Sequence, residues 1–117
     1  MTTVGPVQAF SVTIASAVTY SSAVDLGGSH GNIMIGIPTM TSATDIFPLV
    51  SDSASGTFRQ VYNETVAATT TPTAVNYDSS VTNCYVPLNC SARYIKLGYT
   101  SATTEASQTF KFLCGAN

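Results

Sequence analysis

One histidine, three cysteines, six carboxylates and 32 serine or threonine hydroxyls are the groups from which this chain could build chemistry. His30 sits in Gly28-Ser29-His30-Gly31, where an imidazole could ligate a metal or serve as a base. No acid or thiol lies close to it in sequence, so a polar turn residue is the simpler reading. Serines are plentiful, but the Gly-x-Ser-x-Gly turn that exposes a nucleophile is absent. Asp25, Asp45, Asp52, Glu64, Asp78 and Glu105 are scattered singly. Glycoside hydrolysis requires two carboxylates face to face, and no spacing here enforces such a pair. Residues 52–56 have the outline of a calcium loop but lack its alternating Asp/Asn ligands and closing Glu. Cys84 and Cys90 are five residues apart, outside the usual two-to-four gap of a zinc site. The expectation is therefore no catalytic residue, no cofactor and no metal.

Charge narrows the partners further. Lys and Arg together number four, too few for a phosphate-neutralising surface or a polybasic membrane patch. No apolar run approaches the length of a membrane span. Neither nucleic acid nor membrane is expected as a partner. The first residues, Met1-Thr2-Thr3-Val4-Gly5-Pro6, lack the basic and apolar segments of a signal peptide. Cys84, Cys90 and Cys114 are an odd set, so reduced and mostly buried thiols are expected. The sequons at Asn63-Glu64-Thr65 and Asn89-Cys90-Ser91 carry no weight without a leader. Six tyrosines could furnish sugar-stacking platforms, although no tryptophan is present. Alternation places Tyr99 in the core with Ile95 and Leu97 and leaves Tyr94 on the other face.

The elements that must position these groups are strands. No stretch of ten residues carries apolar positions at helical spacing, whereas β-branched and aromatic residues recur in short alternating runs. Phe10, Val12 and Ile14 mark a first strand, and residues 21–26 a weaker one closed by Gly27-Gly28. Ile33, Ile35 and Ile37 mark another, ended by Pro38. Residues 46–50 follow, where Pro48 suggests an edge or a bulge. Residues 58–62, 73–77 and 83–88 read as further short strands, and 67–73, with no core-forming side chain, as a loop. The clearest strands cover 93–99 and 108–114. These runs predict an all-β chain: an antiparallel β-sandwich of eight or nine strands, jelly-roll-like, over residues 9–117. Residues 1–8 are expected to form an extended N-terminal arm, because Gly5-Pro6 favours an extended path. Within that arm Thr2, Thr3, Val4, Gly5, Pro6 and Val7 are the expected partner-binding residues.

The surface is poorly defended. Charged residues make up 9% of the chain, against about 25% in an average soluble domain. β-proteins that stay single usually guard their edges with lysine, and this chain has two, Lys96 and Lys111. Much of its surface is expected to be covered by copies of itself or by a larger assembly.

The punctuation of the strands resembles that of small structural proteins from tailed bacteriophages. The matching residues are Ala-x-Asp-Leu-Gly-Gly at 23–28, Ile-x-x-Pro at 35–38, Thr-x-Ala at 41–43 and Ser-Asp at 51–52. Gly-Thr-Phe at 56–58, Ala-Arg-Tyr-Ile-Lys-Leu at 92–97, Ser101 and the Gln-x-Phe strand at 108–112 complete the match, which spans 21–114. It departs at Thr39-Met40, where a tryptophan is common nearby, and at Ser53-Ala54-Ser55, where a second Asp-Gly is common. The resemblance implies a non-enzymatic virion component, assembled in the host cytoplasm, with a capsid decoration or cement protein as the leading role. It implies the major capsid protein or other virion proteins as partners, together with self-association, a trimer being the preferred cluster. A carbohydrate- or receptor-binding module of a tail, neck or fibre is the alternative. The matched motifs carry no catalytic residues.

Overall fold

The computed structural model describes residues 8–30, 32–42, 44–62, 74–78, 80–88, 92–100 and 105–115. Eight strands are present among the described residues: β1 (Gln8–Ile14), β2 (Val24–His30), β3 (Ile33–Ile37), β4 (Ile46–Ser51), β5 (Arg59–Gln60), β6 (Cys84–Leu88), β7 (Ala92–Tyr99) and β8 (Gln108–Cys114). No helix occurs among the described residues. All strand pairs are antiparallel, in two four-stranded sheets ordered β1-β8-β3-β6 and β2-β7-β4-β5. Between these eight strands every connection changes sheet except β4–β5, so nearly all ladder partners are distant in sequence.

Alternation explains the packing. β8 buries Phe110, Phe112 and Cys114 and exposes Thr109 and Lys111, while β7 buries Ile95, Leu97 and Tyr99. Ile33, Ile35 and Ile37 of β3 join Val12 and Ile14 of β1 from one sheet, facing Leu26 and Ile46 from the other. This shared apolar layer makes the arrangement sandwich-like. Tyr99 and Phe110 meet edge to face across it, with ring centroids 6.4 Å apart.

Five details depart from the sequence expectations. β2 does not close at Gly27-Gly28 but runs through them to His30. Gly27 has φ +81° and its N–H donates to Asp25 Oδ1 at 2.8 Å, which lets the register jump from Asp25 opposite Tyr94 to His30 opposite Ala92. Residues 73–77 do not form a strand where they are described: Ala74 and Tyr77 make single bridges to Tyr62 and Ile46. The expected 58–62 strand shrinks to β5. Pro48 lies in an internal strand, yet β5 covers only Leu49 and Val50, so the side of β4 at Pro48 needs no ladder donor. The expected arm overlaps the fold by one residue, because Gln8 already pairs with Cys114. Thr2, Thr3, Val4, Gly5, Pro6 and Val7 lie outside the described residues, as does the whole 67–73 loop.

Candidate functional site

The sequence disperses its acids, but the fold gives one of them a singular position. Glu105, between β7 and β8, is 1% exposed. Its carboxylate accepts hydrogen bonds from the backbone N–H of Thr41 at 3.0 Å and of Ser42 at 2.7 Å. The Thr41 hydroxyl and Gln108 Nε2, the latter at 2.8 Å, donate to it as well. Gln108 Nε2 also donates to the Thr39 carbonyl at 3.1 Å, and the Glu105 carbonyl accepts from Ala17 N–H at 3.4 Å. Three inter-strand connections are thereby tied together at one end of the fold. Burial opposes ionisation of Glu105. The side-chain donors of Thr41 and Gln108 and the backbone N–H groups of Ser42 and Thr41 outweigh it and hold the pKa at about 2. A carboxylate so sequestered and so fully donated to is an anchor, not a proton shuttle. Burial, and then the charge of Glu105, push the Tyr99 hydroxyl up to about 12. No local motif marks this clasp, since Thr41 and Glu105 are 64 residues apart.

The other sequence candidates do not converge. His30 ends β2 opposite Ala92. Among the described residues no three His, Cys, Asp or Glu side chains come together as a metal site. Cys84 is an exposed free thiol and Cys114 a buried one, while Cys90 lies outside the described residues. The 52–56 segment is a hydroxyl-pinned turn: Ser51 Oγ donates to the Ser53 carbonyl at 2.9 Å, and Gly56 N–H donates to the same carbonyl at 3.2 Å.

What remains is the outer surface of each sheet. On the β2-β7-β4-β5 sheet, Tyr20 lies over Gly98. A Cβ on Gly98 would stand 2.8 Å from the Tyr20 ring and 2.9 Å from Phe47. Tyr20 meets Phe47 edge to face at 6.1 Å and covers it, leaving Phe47 6% exposed. Lys96 Nζ stands 5.5 Å from the Tyr20 ring centroid and 5.0 Å from that of Phe58, a cation held between two π faces. Arg93 pairs with Asp25 through two bonds of 2.9 and 3.2 Å, and this contact, with the Gly27 N–H, draws the Asp25 pKa down. Beside this pair is a cleft of about 310 Å³ lined by Ser51, Asp52, Thr57, Arg59 and Arg93.

On the β1-β8-β3-β6 sheet the pattern recurs with a different outcome. Tyr85 lies over Gly36, whose Cβ would stand 2.7 Å from the ring. Tyr85 is about as exposed as Tyr20, 51% against 49%, but its ring borders a concavity of about 260 Å³ lined by Gly36, Pro38, Asn83, Cys84, Thr109 and Lys111. An open aromatic shelf with an ammonium, an amide and a hydroxyl at its border is a receptive feature of this face. Sequence reasoning placed Tyr99 in the core and Tyr94 on the opposite face but did not single out Tyr85 among the six tyrosines. Its distinguishing signal is the cross-strand Gly36 partner, which only the register reveals. Comparison with family models, characterised proteins and solved structures finds no match.

Proposed function

We propose that this chain is a non-enzymatic structural component of a tailed-phage virion, a capsid decoration or cement protein. The observation that carries the proposal is the strand order, β1-β8-β3-β6 against β2-β7-β4-β5, with a change of sheet at every connection but one. We read this order as a jelly roll, an architecture used by viral capsid and lectin domains. The thinly charged surface and the exposed Val18, Tyr20, Tyr62 and Tyr85 support a role in which other proteins cover it. The sequestered Glu105 supports a role without turnover.

In this reading the domain sits at junctions between major capsid subunits, buries apolar and hydroxyl surface there, and opposes the outward push of packaged DNA. Modest contacts multiply over many copies. Three copies gather at a junction, and Thr2 to Val7 reach a neighbouring subunit. The test is occupancy of purified particles. Deleting residues 1–7 spares β1 and should leave a folded domain that occupies particles less fully; equal occupancy would remove the arm from the account.

The second reading is a carbohydrate- or receptor-binding module of a tail, neck or fibre, and the Tyr85 shelf favours it. Sugar rings stack on exposed aromatic faces and take hydrogen bonds from bordering polar groups. Glycan-array binding by the intact protein that is lost in Y85A would favour this reading over the first.

A further inference from the structure

The four edge strands are not alike. β1 and β6 border one sheet, β2 and β5 the other. β5 is two residues long. β6 carries Pro87, which cannot donate to a further strand. β2 is interrupted by its register shift and by Gly27 in a left-handed conformation. Each of these devices blunts an edge. β1 has none of them. Its seven residues, Gln-Ala-Phe-Ser-Val-Thr-Ile, hold no charge, no proline and no glycine, and all seven pair in register with β8. Among the described residues β8 is its one ladder partner, so its outer row of N–H and C=O groups faces away from the sheet.

We propose that β1 is a strand-addition edge whose occupant is β1 of a second copy of this chain, antiparallel about a two-fold axis through Ser11. Parity selects the register. Side chains directly opposite each other in an antiparallel pair share a face, so core positions must meet core positions. An axis between two residues would set apolar positions against polar ones. An axis through Ser11 pairs Phe10 with Val12, Ala9 with Thr13 and Gln8 with Ile14, and it uses the whole strand. Phe10, partly buried against its own core, then gains a second apolar neighbour. On the outer face the facing side chains are Ala9, Ser11 and Thr13, small and uncharged, so no like charges oppose the union. The two β1-β8-β3-β6 sheets become one continuous sheet across the axis. Self-complementarity within a single segment is what singles out a second copy over an unrelated strand. The contact joins copies pairwise, and so links neighbouring clusters instead of building a three-fold one. It does not depend on the virion reading: that reading fails by absence from particles, this one by the mass of the free protein.

Sedimentation equilibrium of the full chain at tens of micromolar should give twice the 12.2 kDa chain mass. The variant A9K/T13K sets ammonium groups opposite each other at both ends of the pair and should weaken the dimer about tenfold or more. A9K/T13E carries the same Ala9 substitution but faces opposite charges, and it should remain dimeric. It also controls for folding, as does the near-ultraviolet circular dichroism of both variants. A monomeric parent, a parent with the mass of three chains, or a dimer equally tight in A9K/T13K would each overturn the proposal.

Discussion

The two outer faces of this protein use one device for two ends. Each places a tyrosine ring over a strand glycine, Tyr20 over Gly98 and Tyr85 over Gly36. Tyr20 enters from the connection between β1 and β2, its backbone bridged to Gly98, and it lands beside Phe47 and beneath Lys96. Its ring completes an outer layer over its sheet. Tyr85 stands on an edge strand, no aromatic ring stacks on it among the described residues, and its ring borders an open concavity. An aromatic over a glycine is thus a seal where the chain returns to cover it and a shelf where it does not. The seal should be worth stability, and the shelf should be worth binding.

The largest expected effect should not distinguish the faces, because it acts on the clasp at the end of the fold. The folded pKa of Glu105, about 2, lies below its ordinary 4.5. The stability this supplies is full above about pH 4.5 and is lost as pH falls towards 2. Integrated over that shift it is about 3 kcal/mol. E105Q should lose a similar amount at neutral pH and show a flatter acid limb in thermal melts taken between pH 2 and 5. A melting temperature unchanged by E105Q would show that the clasp contributes nothing.

The next effect separates the faces. G98A drives a Cβ into Tyr20 and Phe47 at once, and Phe47 is too buried to move aside. A loss of about 2–3 kcal/mol is expected by chemical denaturation. G36A meets only the Tyr85 ring, which can swing into solvent, so its cost should stay below about 1 kcal/mol. Equal costs for the two substitutions would break the comparison. The smallest effect sharpens it: Y85A should change stability by less than about 0.5 kcal/mol. If Y85A destabilised the fold as much as G98A, the shelf would be a seal as well.

Much of this architecture was legible in the sequence. Strict alternation in β3, β7 and β8 identified their buried faces, because a half-buried strand must alternate and these strands form the centre of both sheets or lie next to it. Legibility failed where glycine replaced a side chain that could alternate. The Gly27-Gly28 pair reads as a stop, but a left-handed Gly27 and the Asp25 carboxylate turn it into a bulge within β2. It failed again at 73–77, where alternation exists without a continuous partner strand. The Glu105 clasp and the Tyr85 shelf were invisible for a common reason: each depends on a residue, Thr41 in one and Gly36 in the other, that becomes a neighbour only after the ladders have formed. Gln108 is three residues from Glu105, but Thr41 is 64 away and joins them only in the fold, and Gly36 meets Tyr85 through the β3–β6 register alone.

The central claim, that the fold serves as a multicopy interface component of a virion, is tested most directly by cryo-electron microscopy of purified particles carrying this chain. The account predicts eight-stranded density at capsid-lattice junctions, repeated with the symmetry of the shell and touching several major capsid subunits. Particles that lack the chain, with the protein recovered only free in the lysate, would contradict it.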